Sequence, residues 1–282
     1  MLIDSHQHFW STARGDYGWL TPELPTLWRD CLPSDLAPLL AAHGINATVL
    51  VQAAPSIEET EYMLGIADAT PWVGAVVGWV DFANRDHAKH LARWSNHRKF
   101  RGVRPMLQDI ADPAWILRPE HAWAFEAIQN HDLHFEFLGT PRHLDTTAEL
   151  IARYPHLPIV LDHAMKPAIR DRAFEPWAAK MAAIAHQSQA VCKLSGLVTE
   201  AAPGWILADL KPYVDHIIAA FGPDRIMWGS DWPVVNLNGS YNNWQAVTMA
   251  LIGAHPGAQR ILGGTAQAFY RISGAANITA RT

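Results

Sequence analysis

The sequence predicts an α/β fold and, within that class, a (β/α)8 barrel of the TIM type. Three observations lead there. Eight short apolar runs alternate with about eight helix-like segments along 282 residues. The runs are continuous in Val, Ile and Leu, the pattern of parallel strands covered on both faces. No Gly-x-Gly-x-x-Gly turn follows the first run, which argues against the open doubly wound sheet that shares the same alternation.

The first run is Met1-Leu-Ile-Asp-Ser-His-Gln-His-Phe-Trp10. A strand's two-residue period would put Asp4, His6 and His8 on one face. The loop over 11–33 is rich in Trp, Pro and Gly, and loops of this length in compact domains are often lids. Ser34 is an N-cap for a helix over 35–43. The second strand, 46–53, ends in Gln52. Ser56 caps a helix to about 68, with Glu58 and Glu59 in its first turn, where acidic side chains favour the positive helix end. The third strand is 72–80, containing Trp79, and a helix over 85–97 follows. The short fourth strand, 100–105, carries Arg104; a loop over 106–117 leads to a helix over 119–131. The fifth strand, 133–138, sets His134 and Glu136 on one face and precedes a helix over 143–153. The sixth, 157–163, ends in His163, with a loop over 164–168 and a helix over 174–187. The seventh, 190–196, holds Lys193 and Ser195. A helix over 205–221 stops at Gly222-Pro223. The eighth strand, 225–233, ends in Asp231, and one or two helices finish the chain, one around 261–270. No composition shift marks a second domain, so residues 1–282 read as a single barrel.

Composition bounds the partners. Hydrophobic residues make up 49% and charged residues 17%, which suits a globular chain with a sizeable core. The net charge of −5, without a basic run, argues against nucleic acid and against an anionic membrane surface. No apolar run approaches the ~20 residues that span a bilayer, and Met1 leads straight into the first strand with no signal peptide. Cys31 and Cys192 are few and far apart, as in a reduced cytoplasmic protein. The 13 tryptophans either fill the core or wall a ligand with apolar C–H faces. A homo-oligomer is left open.

In such barrels the chemistry sits at the C-terminal strand ends. Those ends present His6, His8, Gln52, Trp79, Arg104, Glu136, His163, Lys193 with Ser195, and Asp231. A buried polar group without a partner costs a few kcal/mol, so this convergence points to a ligand, a metal or ordered water. Plainer readings stand beside it: Glu136 and Lys193 as a buried ion pair, Arg104 as another such partner, Ser195 as a cap on the following loop.

His6-x-His8, Leu161-Asp-His163-x-x-Lys166-Pro167, Lys193-Leu-Ser-Gly196 and Gly229-Ser-Asp-Trp-Pro233 together resemble the amidohydrolase superfamily, of the amidohydrolase 2 type, and within it the sugar-lactonase branch. The resemblance runs from Met1 to about Ile272. It implies the barrel and hydrolysis of a sugar-acid lactone, L-fucono-1,5-lactone or a close relative, to the aldonic acid. Many members of the superfamily hold two metals bridged by a carboxylated lysine. Here Lys193 lies on the seventh strand and His163 is the one later-strand histidine. That leaves at most one divalent metal, zinc by its liking for imidazole nitrogen, on His6, His8, His163 and Asp231. Relatives that open lactones without metal make even that ion dispensable.

Ring opening needs a deprotonated water and a partner for the developing oxyanion. Asp231, with His163, is the expected catalytic pair, Asp231 serving as general base. The oxyanion would face a metal, a charged histidine or Arg104. No Gly-x-Ser-x-Gly elbow offers a serine nucleophile. Gln52, Arg104, Glu136, Lys193 and Ser195 would bind the substrate, with Trp28, Trp79 and Trp232 as apolar walls. Two other readings are a metal-dependent non-oxidative decarboxylase of the same superfamily and a non-catalytic sugar-binding protein.

Overall fold

The computed structural model describes residues 1–274 and 278; positions 275–277 and 279–282 of the expected domain lie outside the described residues. The eight strands are β1 (Ile3–Gln7), β2 (Ala47–Val51), β3 (Val73–Gly78), β4 (Phe100–Val103), β5 (His134–Phe137), β6 (Ile159–Leu161), β7 (Val191–Leu194) and β8 (Ile226–Trp228). They form one sheet in sequence order, and each neighbouring pair is parallel. The helices are α1 (Pro33–Ala42), α2 (Ile57–Ala69), α3 (Ala88–Trp94), α4 (Ala122–Asn130), α5 (Leu144–Arg153), α6 (Trp177–Gln187), α7 (Leu197–Glu200), α8 (Leu207–Phe221), α9 (Tyr241–Ile252) and α10 (Thr265–Phe269).

The ring closes through the turn after β8. Asp231 N–H donates to His6 O and His8 N–H donates to Trp232 O, both at 2.8 Å. This closure brings the first and last motifs of the chain together. Inside the barrel, Val49, Val51, Ala75, Val77, Val160 and Met227 pack as one cluster. Side chains this small suit an eight-stranded interior, which has room only for a packed core. Tyr270 and Ile272 join the cluster from the C-terminal segment, and Arg101 Nε donates to Tyr270 O at 2.8 Å. The opposite strand faces pack under the helices, with Leu50, Val76, Phe135, Leu161 and Trp228 in the outer core.

Local chemistry explains most element ends. Ser56 caps α2, its Oγ accepting from Glu59 N at 3.0 Å. The Glu59 carboxylate in turn accepts from Ala53 and Ala54 N–H at 2.7–3.0 Å, pinning the loop that follows β2. α8 ends at Gly222, φ 69°, before Pro223. The loop from 11 to 31 is tied at its base by the antiparallel pair Trp10–Cys31. Trp19 Nε1 donates to Ala53 O, and Ser56 Oγ to Asp16 Oδ2, both at 2.7 Å. These bonds tack the loop over the strand-two side of the mouth. Among the described residues no helix is long and apolar enough to cross a membrane.

β1 departs from the expected alternation. Its register with β2 shifts between Asp4 and Gln7. Ile3 joins the interior cluster, whereas Asp4 faces Tyr241 of α9 and accepts from Ser230 N at 2.8 Å. Asp4 therefore does not share a face with His6 and His8. It braces the turn that carries Asp231, and burial raises its carboxyl to about 6.

Candidate active site

His6 lies within β1. His8, Gln52, Trp79, Arg104, His163, Ser195 and Asp231 follow the ends of their strands, in turns where the backbone can aim them into the mouth. At the centre is Asp231. Its Oδ1 lies 3.8 Å from His6 Nε2, 3.3 Å from His8 Nε2 and 3.9 Å from His163 Nε2. All four residues are buried.

Two of these residues sit in left-handed backbone. His163, Ala164, Met165 and Lys166 run at φ 52°, 49°, 59° and 50°, and Asp231 at 58°. For residues with a Cβ this conformation costs roughly 1–2 kcal/mol each, and strain of this kind clusters at functional sites. The turn is held by Lys166 N–H to His163 O at 2.8 Å, by Trp177 Nε1 to Ala164 O at 2.8 Å and by Lys166 Nζ to Gln108 Oε1 at 2.6 Å. Two glycines make room for the histidines. A Cβ on Gly196 would lie 2.6 Å from His163 Nδ1, and one on Gly229 would lie 2.7 Å from His6 Cβ.

Beneath the centre runs a buried charge network. Arg104 Nη1 is 3.1 Å from Asp162 Oδ2 and 3.3 Å from His6 Nε2, and Nη2 donates to Gln52 O. Gln52 Nε2 donates back to Arg104 O at 2.7 Å. Lys193 Nζ lies 2.5 Å from Glu136 Oε2, 3.3 Å from Asp162 Oδ1 and 3.1 Å from His6 Nδ1. Tyr270 donates to the other Glu136 oxygen. Asp162 and Tyr270 were not among the expected site residues. Asp162 does sit inside the His163 motif and continues the inward alternation of Val160 past the outward Leu161, whereas the left-handed backbone begins only at His163. Nothing local to Tyr270 signals its role, since it enters the floor from the far end of the chain.

Several expected substrate contacts are corrected by this network. Glu136 and Lys193 lie inside β5 and β7, fully buried, and serve each other as the ion pair. Ser195 does not cap its loop: its Oγ is hydrogen-bonded to His163 Nδ1 at 2.8 Å and orients that ring. Trp28 is 42% exposed and does not line the cavity beside Trp79. Trp232 is core, its ring 5.9 Å from Phe9. Of the three expected aromatic walls only Trp79 lines a cavity there, joined by Trp19 and Trp115.

Burial sets the protonation of the centre. It lowers His163 to about 4, against the pull of Asp231. It also lowers His6 well below its ordinary value, helped by the charge on Lys193. Both are neutral at neutral pH, so a charged imidazole from either is not available to an oxyanion. Burial opposes ionisation of Asp231, but the facing histidines outweigh it and hold the carboxyl below the usual range. Of the two carboxyls facing Lys193, burial pushes Glu136 up to about 7. Asp162, equally buried, is held well below its ordinary value by Lys193, His6 and Arg104.

The donor set fits a divalent ion. His6, His163 and Asp231 place one ligand atom each within 4.8 Å of one another, and their separations of 3.8 and 3.9 Å from Asp231 approach the ~3.3 Å edge of a tetrahedron with 2.0 Å bonds. His8 Nδ1 donates to the Val51 carbonyl at 2.7 Å, which directs Nε2 towards Asp231. Asp162 Oδ1 has no hydrogen-bond partner and lies 3.6 Å from His6 Nδ1. A proton on Nδ1, directed at that oxygen, leaves His6 Nε2 free for a metal. Arg104 Nη1, a donor, faces the same Nε2 at 3.3 Å, which also favours a lone pair there.

The family model described as amidohydrolase matches residues 3–272. The chain belongs to the amidohydrolase family. This amidohydrolase is 45% identical over 276 residues, 96% of its length and 95% of the relative's, to an L-fucono-1,5-lactonase of Burkholderia ambifaria. An L-fucono-1,5-lactonase of Burkholderia multivorans is 39% identical, over 86% of this chain and 85% of its own. Among solved structures, an amidohydrolase from Burkholderia multivorans with bound zinc superposes with a TM-score of 0.90 at 35% identity, covering 97% of this chain and all of that one.

Proposed function

We propose that this amidohydrolase hydrolyses a sugar-acid lactone, L-fucono-1,5-lactone or a close stereoisomer, to its open aldonic acid. The observation that carries the reading is the Asp231 carboxylate within 3.3–3.9 Å of three imidazoles. They stand at the mouth of a barrel whose relative, 45% identical nearly end to end, is an L-fucono-1,5-lactonase.

The chemistry follows from the residues. Asp231 stays ionised and takes a proton from water as the water oxygen adds to the lactone carbonyl. His163, its ring fixed by Ser195, and His8, fixed by the Val51 carbonyl, orient that water. Arg104 is the fixed cation beside the histidines, and its Nε is buried without a partner, so it can meet the developing oxyanion. The bond between the acyl carbon and the ring oxygen then breaks. The proton held by Asp231 passes to the leaving ring oxygen, which becomes the sugar hydroxyl, and the new carboxylic acid ionises. Gln52 Oε1, also buried and unpartnered, accepts from a substrate hydroxyl. His6, His8, His163 and Asp231 would hold one divalent ion, zinc by their chemistry, and it would bring the pKa of a bound water down towards ~7. The two buried free thiols, Cys31 and Cys192, accord with a cytoplasmic setting.

An aromatic-acid decarboxylase would need cations around its substrate carboxylate. The apolar side of this mouth instead carries Asp81 and Asp109. The test is a panel of fucono-, rhamnono-, galactono- and arabinono-lactones with a pH indicator, run beside Asp231→Asn. We expect the 6-deoxy lactones to be turned over fastest and the variant to lose at least ~10²-fold in kcat. Carbon dioxide release from aromatic acids, or near-normal turnover by the variant, would overturn the reading.

A further inference from the structure

We propose that the cavity between Trp19, Trp79 and Trp115 is a subsite for the substituent on the lactone ring, and that it admits apolar substituents much larger than a methyl group. The inference rests on the lactonase reading and extends its substrate class to alkyl- and aryl-substituted δ-lactones.

The cavity has a volume of about 370 Å³, and Phe82, Met106 and Ile110 complete its apolar walls. Its lining comes from segments that follow β1, β2, β3 and β4, and Gln52 and Arg104 follow the second and fourth of these strands. Pro105, one of its walls, follows Arg104 directly in the chain. Trp79 follows Gly78, whose carbonyl accepts from Arg104 N at 2.9 Å. The Trp19 indole donates to Ala53 O at 2.7 Å, one residue from Gln52, which Arg104 also holds. The walls are preset: Trp115 packs on His121 with ring centroids 4.0 Å apart, and Trp19 meets Trp10 edge to face at 5.4 Å.

Polarity divides the mouth. Among the described residues no Lys, Arg or His lines the cavity, and the charged residues that do are Asp81 and Asp109. On the β6 side, Lys166 reaches across to Gln108, and Glu200 stands close enough to Lys166 and Asp231 to feel both charges. The loop after β4 separates the halves, with Gln108 turned to Lys166 while Met106, Asp109 and Ile110 line the cavity. In the proposed pose the lactone carbonyl lies at Asp231 and the exocyclic carbon turns towards this apolar side. The methyl of a 6-deoxy sugar fills only a small part of that space, which lies in the size range of drug-sized ligand sites. The carboxylates at the edge exclude anionic substituents.

The experiment is a series of δ-lactones bearing methyl, propyl, pentyl and phenyl groups on the carbon next to the ring oxygen, measured with wild type, Met106→Trp and Ile110→Trp. Wild-type kcat/KM should rise about fourfold per methylene along the alkyl members. Each tryptophan fills the cavity and should lower the pentyl-to-methyl ratio at least tenfold; the second variant serves if the first fails to fold. A flat wild-type series, or a ratio unchanged in both folded variants, overturns the subsite. Turnover of sugar lactones with a flat alkyl series overturns only this inference, whereas no turnover of any lactone overturns the lactonase reading beneath it.

Discussion

Replacing Lys193 by methionine removes the one cation that three buried groups share. Its Nζ faces Glu136 at 2.5 Å, Asp162 at 3.3 Å and His6 at 3.1 Å, and none of these side chains is exposed. At an effective permittivity of about 20, one contact near 3 Å is worth roughly 5 kcal/mol of attraction. Much of that is offset by keeping the charges dry, and removing one partner of a buried pair costs about 3–5 kcal/mol net. We expect Lys193→Met to lose that much unfolding free energy in a urea titration at pH 7.5. Adding Glu136→Gln removes one orphaned carboxylate while the amide oxygen still accepts from Tyr270, so the double variant should recover about half. The deficit should also depend on pH. Burial already raises Glu136 to about 7, and without the ammonium it rises further. The unfolded carboxyl ionises above about 4.5 while the folded one stays protonated, so stability falls as pH rises through that window and the deficit widens. Both variants should lose turnover, because Asp162, which faces His6 Nδ1, loses Lys193. A single variant within about 1 kcal/mol of wild type, or a double variant no more stable than the single, would refute the network as a coupled unit.

Other perturbations follow from the same structure. Gly196→Ala forces a Cβ to within 2.6 Å of His163 Nδ1 at φ 68°; it should lower stability by roughly 1–2 kcal/mol and kcat by about 10²-fold through displacement of the ring, and unchanged kinetics would show that the ring position is immaterial. His134, on the barrel floor beside Phe269 at 4.1 Å, is lowered by burial to about 3. The unfolded state takes up its proton below about 6.5 and the folded state does not, so stability drops as pH falls, by about 2 kcal/mol between pH 7 and 5. His134→Phe should flatten that limb, and parallel urea midpoints for the two proteins at both pH values would contradict the assignment. Metal analysis of the purified protein should find no more than one tightly bound divalent ion per chain, with His163→Ala reducing it; two equivalents would break the donor count.

The sequence alone was sufficient for the barrel and for the gathering of His6, His8, His163 and Asp231 at one mouth. Continuous Val/Ile/Leu runs are what a strand buried on both faces requires, and Ser56 and Gly222-Pro223 act through local bonds, so these features are legible residue by residue. His6, His8, His163 and Asp231 could be read because each follows or ends an apolar run. Other features depend on contacts between distant segments. The register shift in β1 turns Asp4 outward, because pairing with β2 and the Ser230 amide outweigh simple alternation. The left-handed run from His163 to Lys166 is intrinsically unfavourable, so no local propensity announces it; packing by Trp177 and Gln108 sustains it. Glu136 and Lys193 look like mouth residues until strand length places them one layer down, where neither can remain without the other. The choice of Trp19 and Trp115 over Trp28 and Trp232 as cavity walls was made by loop tethers and by the barrel seam, because an indole ring packs equally well in a core, on a surface or against a ligand, and only its neighbours decide which.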